Sequence, residues 1–320
     1  MLKTQPNYQS FGCRIASLAL AVLVALIPGQ SASAQLKNGD SEHAVTVDRL
    51  LRAYVLHVPA NHPHNSALVM VFHGGGGHNT STEAITRMNS VADEHGFVVA
   101  YPQGLFTTWN DGGSNLGQRP TRDDVTFTRQ MVDDIARQIP IDKKQVFACG
   151  FSNGAMFATR LALEAPDLIA AAAMVEGGLM QKHLEEHPNP KPISILIIAA
   201  TADPCFPFDG GETTAPKTGQ HCGVAVSASD AIEFWRKIDS CRAPAHISEV
   251  PHTVQDNITT TYKFWDGSDG FDVAEYIVTN GGHCWPGGIQ YFPVDLIGKT
   301  TYDFSASEAI WRFFAAHGKH

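Results

Sequence analysis

Short runs of apolar and β-branched residues alternate with helical stretches along most of this 320-residue chain, and that alternation restricts the fold more than any other feature. Residues 52–58 read as a strand, and 67–72 (ALVMVF) as a buried one closed by glycines. A helix over 82–95 stops at Gly96, and the next strand is 98–101. A long amphipathic helix over 123–139 precedes a strand over 145–149, a helix after Ser152, an apolar run over 168–175 and a strand over 194–199. Strands separated by helices form a mostly parallel sheet, because each right-handed crossover returns the chain in the same direction. The fold class is therefore α/β, with helices on both faces of a central sheet. Loops at the carboxyl ends of such strands open together, and function is expected there.

The alternation lapses near the end. Residues 246–250, 259–265 and 273–279 read as three successive strands, the middle one antiparallel. A closing helix starts at Ser305, whose capping box with Glu308 precedes an aromatic face of Trp311, Phe313 and Phe314.

Gly150-Phe151-Ser152-Asn153-Gly154 follows a strand (QVFAC) and opens a helix (AMFATRLALE), which gives the G-x-S-x-G pattern the setting a nucleophile elbow requires. The turn is so tight that side chains two residues either side of the serine would strike backbone. Ser152 is the candidate nucleophile. A serine hydroxyl needs a base, and the base a carboxylate to orient it. Asp203, in Thr-Ala-Asp-Pro, and His283, in GGHCWPGG, each follow the end of a strand and stand in the chain order Ser, Asp, His. Asp209 is the rival acid.

His73 and Gly74 to Gly77 follow the strand ending at Phe72. Bare glycines let amides approach a developing oxyanion, so the expected oxyanion hole is the amide of Asn153 with that of Gly75, or alternatively Gly76. A phosphate cradle would need a following Lys and Ser/Thr pair, which the sequence lacks. His73 is expected to be a structural hydrogen-bonding residue. A glycine-rich polar loop over 103–122 leaves the same face, and Trp109 within it and Trp285 beyond His283 are candidate walls of a substrate pocket.

At the amino end, Lys3 and Arg14 precede an apolar run over 15–27, then Pro28, Gly29 and Ala32-Ser33-Ala34. This reads as a signal peptide over 1–34 cleaved before Gln35, which leaves 35–320 as one catalytic domain and places the mature chain outside the cell or in the periplasm. A net charge of -9 without a basic cluster argues against nucleic acid or anionic membrane as partner. No metal or other cofactor is expected. After cleavage five cysteines remain, an odd number, with Cys149 in the elbow strand the natural free thiol. If Asp203 meets His283, Cys205 and Cys284 come close enough to bridge. Pairing Cys222 with Cys241 would need the chain to double back around a helix over 228–238.

From Tyr54 to the last helix, the ordered set VFHGGGG, GFVVAYPQG, TWNDGG, DDVTF, GFSNGAMFATRLALEAPDLIAAAA, TADPCFPFDGG and GGHCWPGG resembles the single-domain poly(3-hydroxybutyrate) depolymerase-like esterases of the α/β-hydrolase superfamily, whose relatives include feruloyl and acetyl xylan esterases. The resemblance implies an α/β-hydrolase fold, a triad of Ser152, Asp203 and His283, and hydrolysis of hydroxyalkanoate oligomers or of acyl groups on plant polysaccharide. The cysteines after Asp203 and His283 depart from the usual pattern, and no appended polymer-binding module is seen. The alternative within enzymes is a peptidase of the same fold, and that of another class is a catalytically silent binding protein that keeps the scaffold.

Overall fold

The computed structural model describes residues 38–116, 122–242 and 245–319. The expected signal peptide over 1–34 lies outside the described residues, as does the part of the polar loop over 117–121. Among the described residues no helix is long and apolar enough to cross a membrane.

Strands β1 (Gly39–Val47), β2 (Leu50–Val58) and β3 (Ser66–Phe72) lead to helices α1 (Asn79–Thr86) and α2 (Met88–His95), then β4 (Val98–Pro102) and α3 (Asp124–Gln138). The elbow strand β5 (Ile141–Phe151) runs into α4 (Asn153–Glu164), followed by β6 (Ala171–Val175), α5 (Gln181–Glu186) and β7 (Ser194–Ala200). Next come β8 (Gly211–Thr214), β9 (His221–Ala225), α6 (Ala228–Ile238), β10 (His246–Glu249), β11 (Thr259–Trp265), β12 (Val273–Thr279), α7 (Val294–Ile297) and α8 (Ala306–Ala316).

Ten strands form one sheet in the order β1-β2-β4-β3-β5-β6-β7-β12-β11-β10, while β8 and β9 pair separately. The strands from β4 across to β12 are all parallel, so their carboxyl ends share one edge. β11 runs antiparallel to both neighbours, as the spacing of the last three strands leads one to expect.

The two-residue period of the strands divides the core. In β3, Leu68, Met70 and Phe72 join Phe127, Met131 and Ile135 of α3, Phe157 of α4 and Trp235 of α6 on one face. Ala67, Val69 and Val71 face the other way, toward Met88 of α2 and Ile310 and Phe314 of α8. Phe314 stacks on Phe147 with centroids 4.7 Å apart, which fixes the closing helix on the elbow strand. Burying a side chain of this size stabilises by roughly 1.5–3 kcal/mol.

Two local expectations are corrected. The helix over 82–95 is two helices, broken at Arg87, whose φ of 54° is left-handed. At the break the Thr86 carbonyl accepts from Ser307 Oγ at 2.6 Å, a tertiary bond that competes with helix continuation. The Ser305 cap on Glu308 N forms, but the Glu308 carboxylate turns outward to His95 and Arg312 instead of closing a capping box. The β8–β9 hairpin, with Pro216 to Gly219 at its turn, is regular structure where the sequence pattern announces none.

Candidate active site

β5 delivers Ser152 at the sheet's carboxyl edge with φ 56° and ψ -121°, a strained backbone held because Ser152 N donates to Val175 O and Ser152 O accepts from Ala155 and Met156 N. The flanking glycines are sterically required. A Cβ on Gly150 would lie 2.2 Å from Gly154 O, and one on Gly154 would lie 2.2 Å from Phe72 O.

β7 and β12, neighbours in the sheet, carry Asp203 and His283 to the same edge. Asp203 Oδ2 lies 2.6 Å from His283 Nδ1, and both residues are buried. Asp203 Oδ1 accepts from Cys205 N at 2.6 Å and Phe206 N at 2.9 Å, so the carboxylate is held at both oxygens. The rival acid Asp209 is exposed and has no hydrogen bond to His283. His283 is steadied by Ile297 O at its backbone N–H, by the Tyr291 hydroxyl at its carbonyl, and by the Phe151 ring 4.9 Å away. Ser152 and His283 line one cavity of about 830 Å³. Their side chains are not hydrogen-bonded to each other here, a contact that commonly tightens only around substrate.

The glycine loop after β3 faces Ser152. The Gly76 amide donates to Thr107 O at 2.7 Å and that of Gly77 to Gly74 O at 3.0 Å, so these two are engaged elsewhere. Gly75 lies beside Asn153, its ideal Cβ position 3.7 Å from Asn153 Cβ, and of the two alternatives it is Gly75 whose amide has no such partner. Asn153 opens α4, where a backbone N–H has no helical acceptor.

His73 is structural, as expected. Gly104 N donates to its Nε2 at 2.9 Å, which leaves Nδ1 to donate to Gly74 O at 2.8 Å. Burial pushes its pKa down to about 4, so the ring stays neutral while it ties the glycine loop to the loop that follows β4.

The two tryptophans are not pocket walls. Trp109 is fully buried, stacked on Phe157 at 5.2 Å, with Nε1 donating to His73 O at 2.9 Å. Trp285 is fully buried with Nε1 on Ser307 Oγ at 3.1 Å. Each indole found a buried acceptor, and that drew it into the core beneath the site. The walls are instead Ile85, Leu116, Phe206, Tyr291 and Phe292, with Thr213, Thr214 and Lys217 from the β8–β9 hairpin. Lys217 Nζ rests 4.4 Å from the Phe292 ring centroid.

The Cys205–Cys284 bridge is not formed; the five described cysteines are free thiols. Cys284 Sγ is turned toward Gln290 Oε1 and Gly298 O, at 3.9 and 3.8 Å. Burial pushes both thiols up to about 12. Asp203, Cys205 and His283 offer ligand atoms within 4.8 Å of one another. As a metal set they fit poorly, because Asp203 and His283 are joined and Asp203 Oδ1 is filled by two amides.

Beneath the site lies a network that sequence reasoning missed. Asp111, fully buried, accepts from Gly113 N, Ser114 N, Ser114 Oγ and Asn153 Nδ2 at 2.5–2.9 Å. Asn153 Oδ1 accepts in turn from Trp109 N at 2.7 Å. Asp124 accepts from Asn110 N at 2.7 Å and pairs with buried Arg52 at 2.6 Å. The stretch TWNDGG thus binds the polar loop to the first turn of α4 through Asn153, and DDVTF binds it to the start of α3 through Asp124. A second missed residue is Glu176, directly after β6. Its signal was a lone carboxyl between an apolar strand and two glycines, at the strand end where Asp203 was found on β7.

The match with known proteins follows this geometry. Residues 51–226 match the model of the dienelactone hydrolase family. A Nocardia uniformis subsp. tsuyamanensis protein named as an esterase, NocK, is 32% identical over 274 residues, which cover 82% of this chain and 79% of that protein. Poly(3-hydroxyalkanoate) depolymerase C of Paucimonas lemoignei is 32% identical over 130 residues, 38% of this chain and only 30% of that enzyme. Among solved structures, acetyl xylan esterase from Aspergillus awamori aligns over 86% of this chain and 99% of its own with a TM-score of 0.56 at 15% identity, a likeness of fold alone. The fold is the α/β-hydrolase fold, and with more than half of its length matched the chain belongs to the dienelactone hydrolase family.

Proposed function

We propose that the chain is a serine esterase and that hydroxyalkanoate oligomers, those of 3-hydroxybutyrate first, are its substrates. The observation that carries the reading is one cavity onto which open Ser152, strained at the tip of an elbow, and His283, already hydrogen-bonded to Asp203. In this mechanism Ser152 Oγ attacks the ester carbonyl carbon as His283 Nε2 takes its proton, while Asp203 holds Nδ1–H and stabilises the imidazolium. The oxyanion accepts from the amides of Asn153 and Gly75, whose removal in such sites costs on the order of 3 kcal/mol of barrier each. His283 returns the proton to the departing alcohol, and water then releases the acid from Ser152 by the same steps.

The lining supports this substrate class. Among the described residues Lys217 is the lysine or arginine on the cavity, and no aspartate or glutamate lines it. A hydroxyalkanoate oligomer ends in a carboxylate that this charge complements, whereas an acetyl group on xylan brings none. A second reading, removal of feruloyl or acetyl groups from plant polysaccharide, is favoured by the aromatic trio Phe206, Tyr291 and Phe292, which suits a flat phenolic acyl group.

The test is hydrolysis of 3-hydroxybutyrate oligomers, methyl ferulate and acetylated xylan by the purified protein beside its Ser152→Ala variant. Oligomer preference lost in Ser152→Ala supports the first reading, ferulate or acetate preference moves the enzyme to the second, and full activity in the folded variant removes Ser152 as nucleophile.

A further inference from the structure

A carboxyl group that a Ser-His-Asp site does not require is buried against its acid. Glu176 follows β6, the strand next to β7, and is 3% exposed. Its backbone is held in the left-handed region at φ 46°, with its N–H on Ile198 O at 3.0 Å. The next residue must be small there, since a Cβ on Gly177 would lie 2.5 Å from Ser152 O. One carboxyl oxygen of Glu176, Oε2, accepts from Ala200 N at 3.0 Å. Asp203 N in turn donates to Ala200 O at 3.4 Å, so Ala200 holds the two carboxyl-bearing residues side by side, and the charge of Asp203 acts on the Glu176 carboxyl.

Two carboxyl groups share a hydrogen bond only if one of them carries a proton. The position of that proton follows from the other partners of Asp203. Two backbone amides converge on Oδ1 and the imidazole Nδ1 meets Oδ2. Three N–H groups thus point at the Asp203 carboxyl, whose oxygens serve them as acceptors. Glu176 has a single amide for its own charge and, among the described residues, no cation beside it, so it keeps the proton.

We propose that Glu176 is a positioning residue for the triad: protonated, it donates to the Asp203 carboxylate and fixes the plane in which Oδ2 meets His283. This rests on the reading of Ser152, His283 and Asp203 as a triad. Burial, and after it the charge of Asp203, hold the Glu176 carboxyl well above the usual range, in agreement with that placement. The other titratable groups facing the pair are Cys205, Cys284, Tyr291 and, through Asp203, His283. The two thiols and the phenol are all pushed up by burial and stay neutral. Loss of the Glu176 proton at alkaline pH therefore sets two carboxylates side by side with no cation among the described residues to offset them, and kcat falls as Asp203 is displaced.

The experiment is kcat and KM against pH for the wild type, Ser152→Ala, Glu176→Gln and Glu176→Ala, with a thermal melt of each. Glu176→Gln keeps a donor that does not ionise. It is expected to lower kcat by no more than about threefold near neutrality and to flatten the alkaline fall of the wild type. Glu176→Ala leaves Ala200 N–H and Asp203 without their partner and is expected to lower kcat about tenfold or more with KM little changed. An alanine variant with wild-type kcat, or a folded glutamine variant that keeps the wild-type alkaline limb, overturns the assignment, and the glutamine variant decides alone if alanine fails to fold. Inactive Ser152→Ala with an unaltered Glu176→Gln profile removes the role of Glu176 only. Activity in Ser152→Ala removes the triad reading and the role of Glu176 with it.

Discussion

Asn153 Nδ2 donates to Asp111 Oδ2 at 2.6 Å where both residues are completely buried, so the residue expected to supply an oxyanion amide through its backbone is held by its side chain from below. Replacing Asp111 with alanine removes an acceptor from Gly113 N, Ser114 N and Asn153 Nδ2, the last of which keeps only Trp109 O at 3.3 Å. Unsatisfied buried donors cost about 1–3 kcal/mol each, so Asp111→Ala is expected to lower stability by at least about 3 kcal/mol in urea denaturation. In the fraction that stays folded, kcat falls more than KM rises, because Asn153 loses its orientation. Wild-type stability in this variant would show that the network is incidental.

The two glycine clusters respond differently to a methyl group. Gly150→Ala drives a Cβ to 2.2 Å from Gly154 O, backbone that cannot retreat without unmaking the elbow, and the variant is expected to be unfolded or inactive. At Gly75 the new Cβ meets only Asn153 Cβ at 3.7 Å and Leu116 Cδ1 at 3.8 Å, ordinary contacts. Gly75→Ala is therefore expected to melt within a few degrees of the wild type. Circular dichroism melts of the two variants make the comparison.

Acid should loosen the fold through two buried histidines. Burial pushes the pKa of His73 and of His183 down to about 4 from the ordinary 6.5. As pH falls below 6.5 the unfolded chain takes up protons that the folded chain refuses, so stability is complete above about 6.5 and drains away toward pH 4. Each tenfold difference in proton affinity between the folded and unfolded chain is worth about 1.4 kcal/mol, so the loss is expected to reach a few kcal/mol in all. Urea midpoints between these pH values measure it, and His183→Gln should flatten the slope; a flat wild-type profile would contradict the prediction.

Lys217 supplies a test of substrate charge. Lys217→Ala is expected to raise KM for free-acid 3-hydroxybutyrate oligomers about 3- to 10-fold, as befits a solvent-screened ion pair of about 1 kcal/mol, with little change for the same oligomers capped as methyl esters. Equal effects on both substrates would show that Lys217 does not read the carboxylate.

How much of this is legible in the sequence depends on whether a residue's role is set locally. Strand and helix periodicity give the parallel sheet, and the position of a residue just after a strand locates Ser152, Asp203, His283 and Gly75 together. Trp109 and Trp285 mislead because a tryptophan near a site in sequence is as well suited to packing beneath it, and the acceptors that decide the matter, His73 O and Ser307 Oγ, come from distant segments. The break at Arg87 is hidden for the same reason, the bond at Thr86 coming from Ser307, 221 residues away. Cys205 and Cys284 do lie near the acid and base, but proximity does not fix the direction of a sulfur. The tie of Asp111 to Asn153 and the setting of Glu176 escape a sequence reading because they are assembled by tertiary structure, although Glu176 satisfies the same strand-end criterion that finds Asp203.

The β8–β9 hairpin forms a wall of the cavity yet shares no ladder with the ten-stranded sheet. Insertions, deletions or exchanges within it therefore leave unaltered the register of the strands that carry Ser152, Asp203 and His283. A combinatorial library confined to the span 211–225 is therefore expected to recut the pocket wall while the sheet keeps its pairing, provided that Thr214, whose N–H holds Cys205 O beside the acid, is spared.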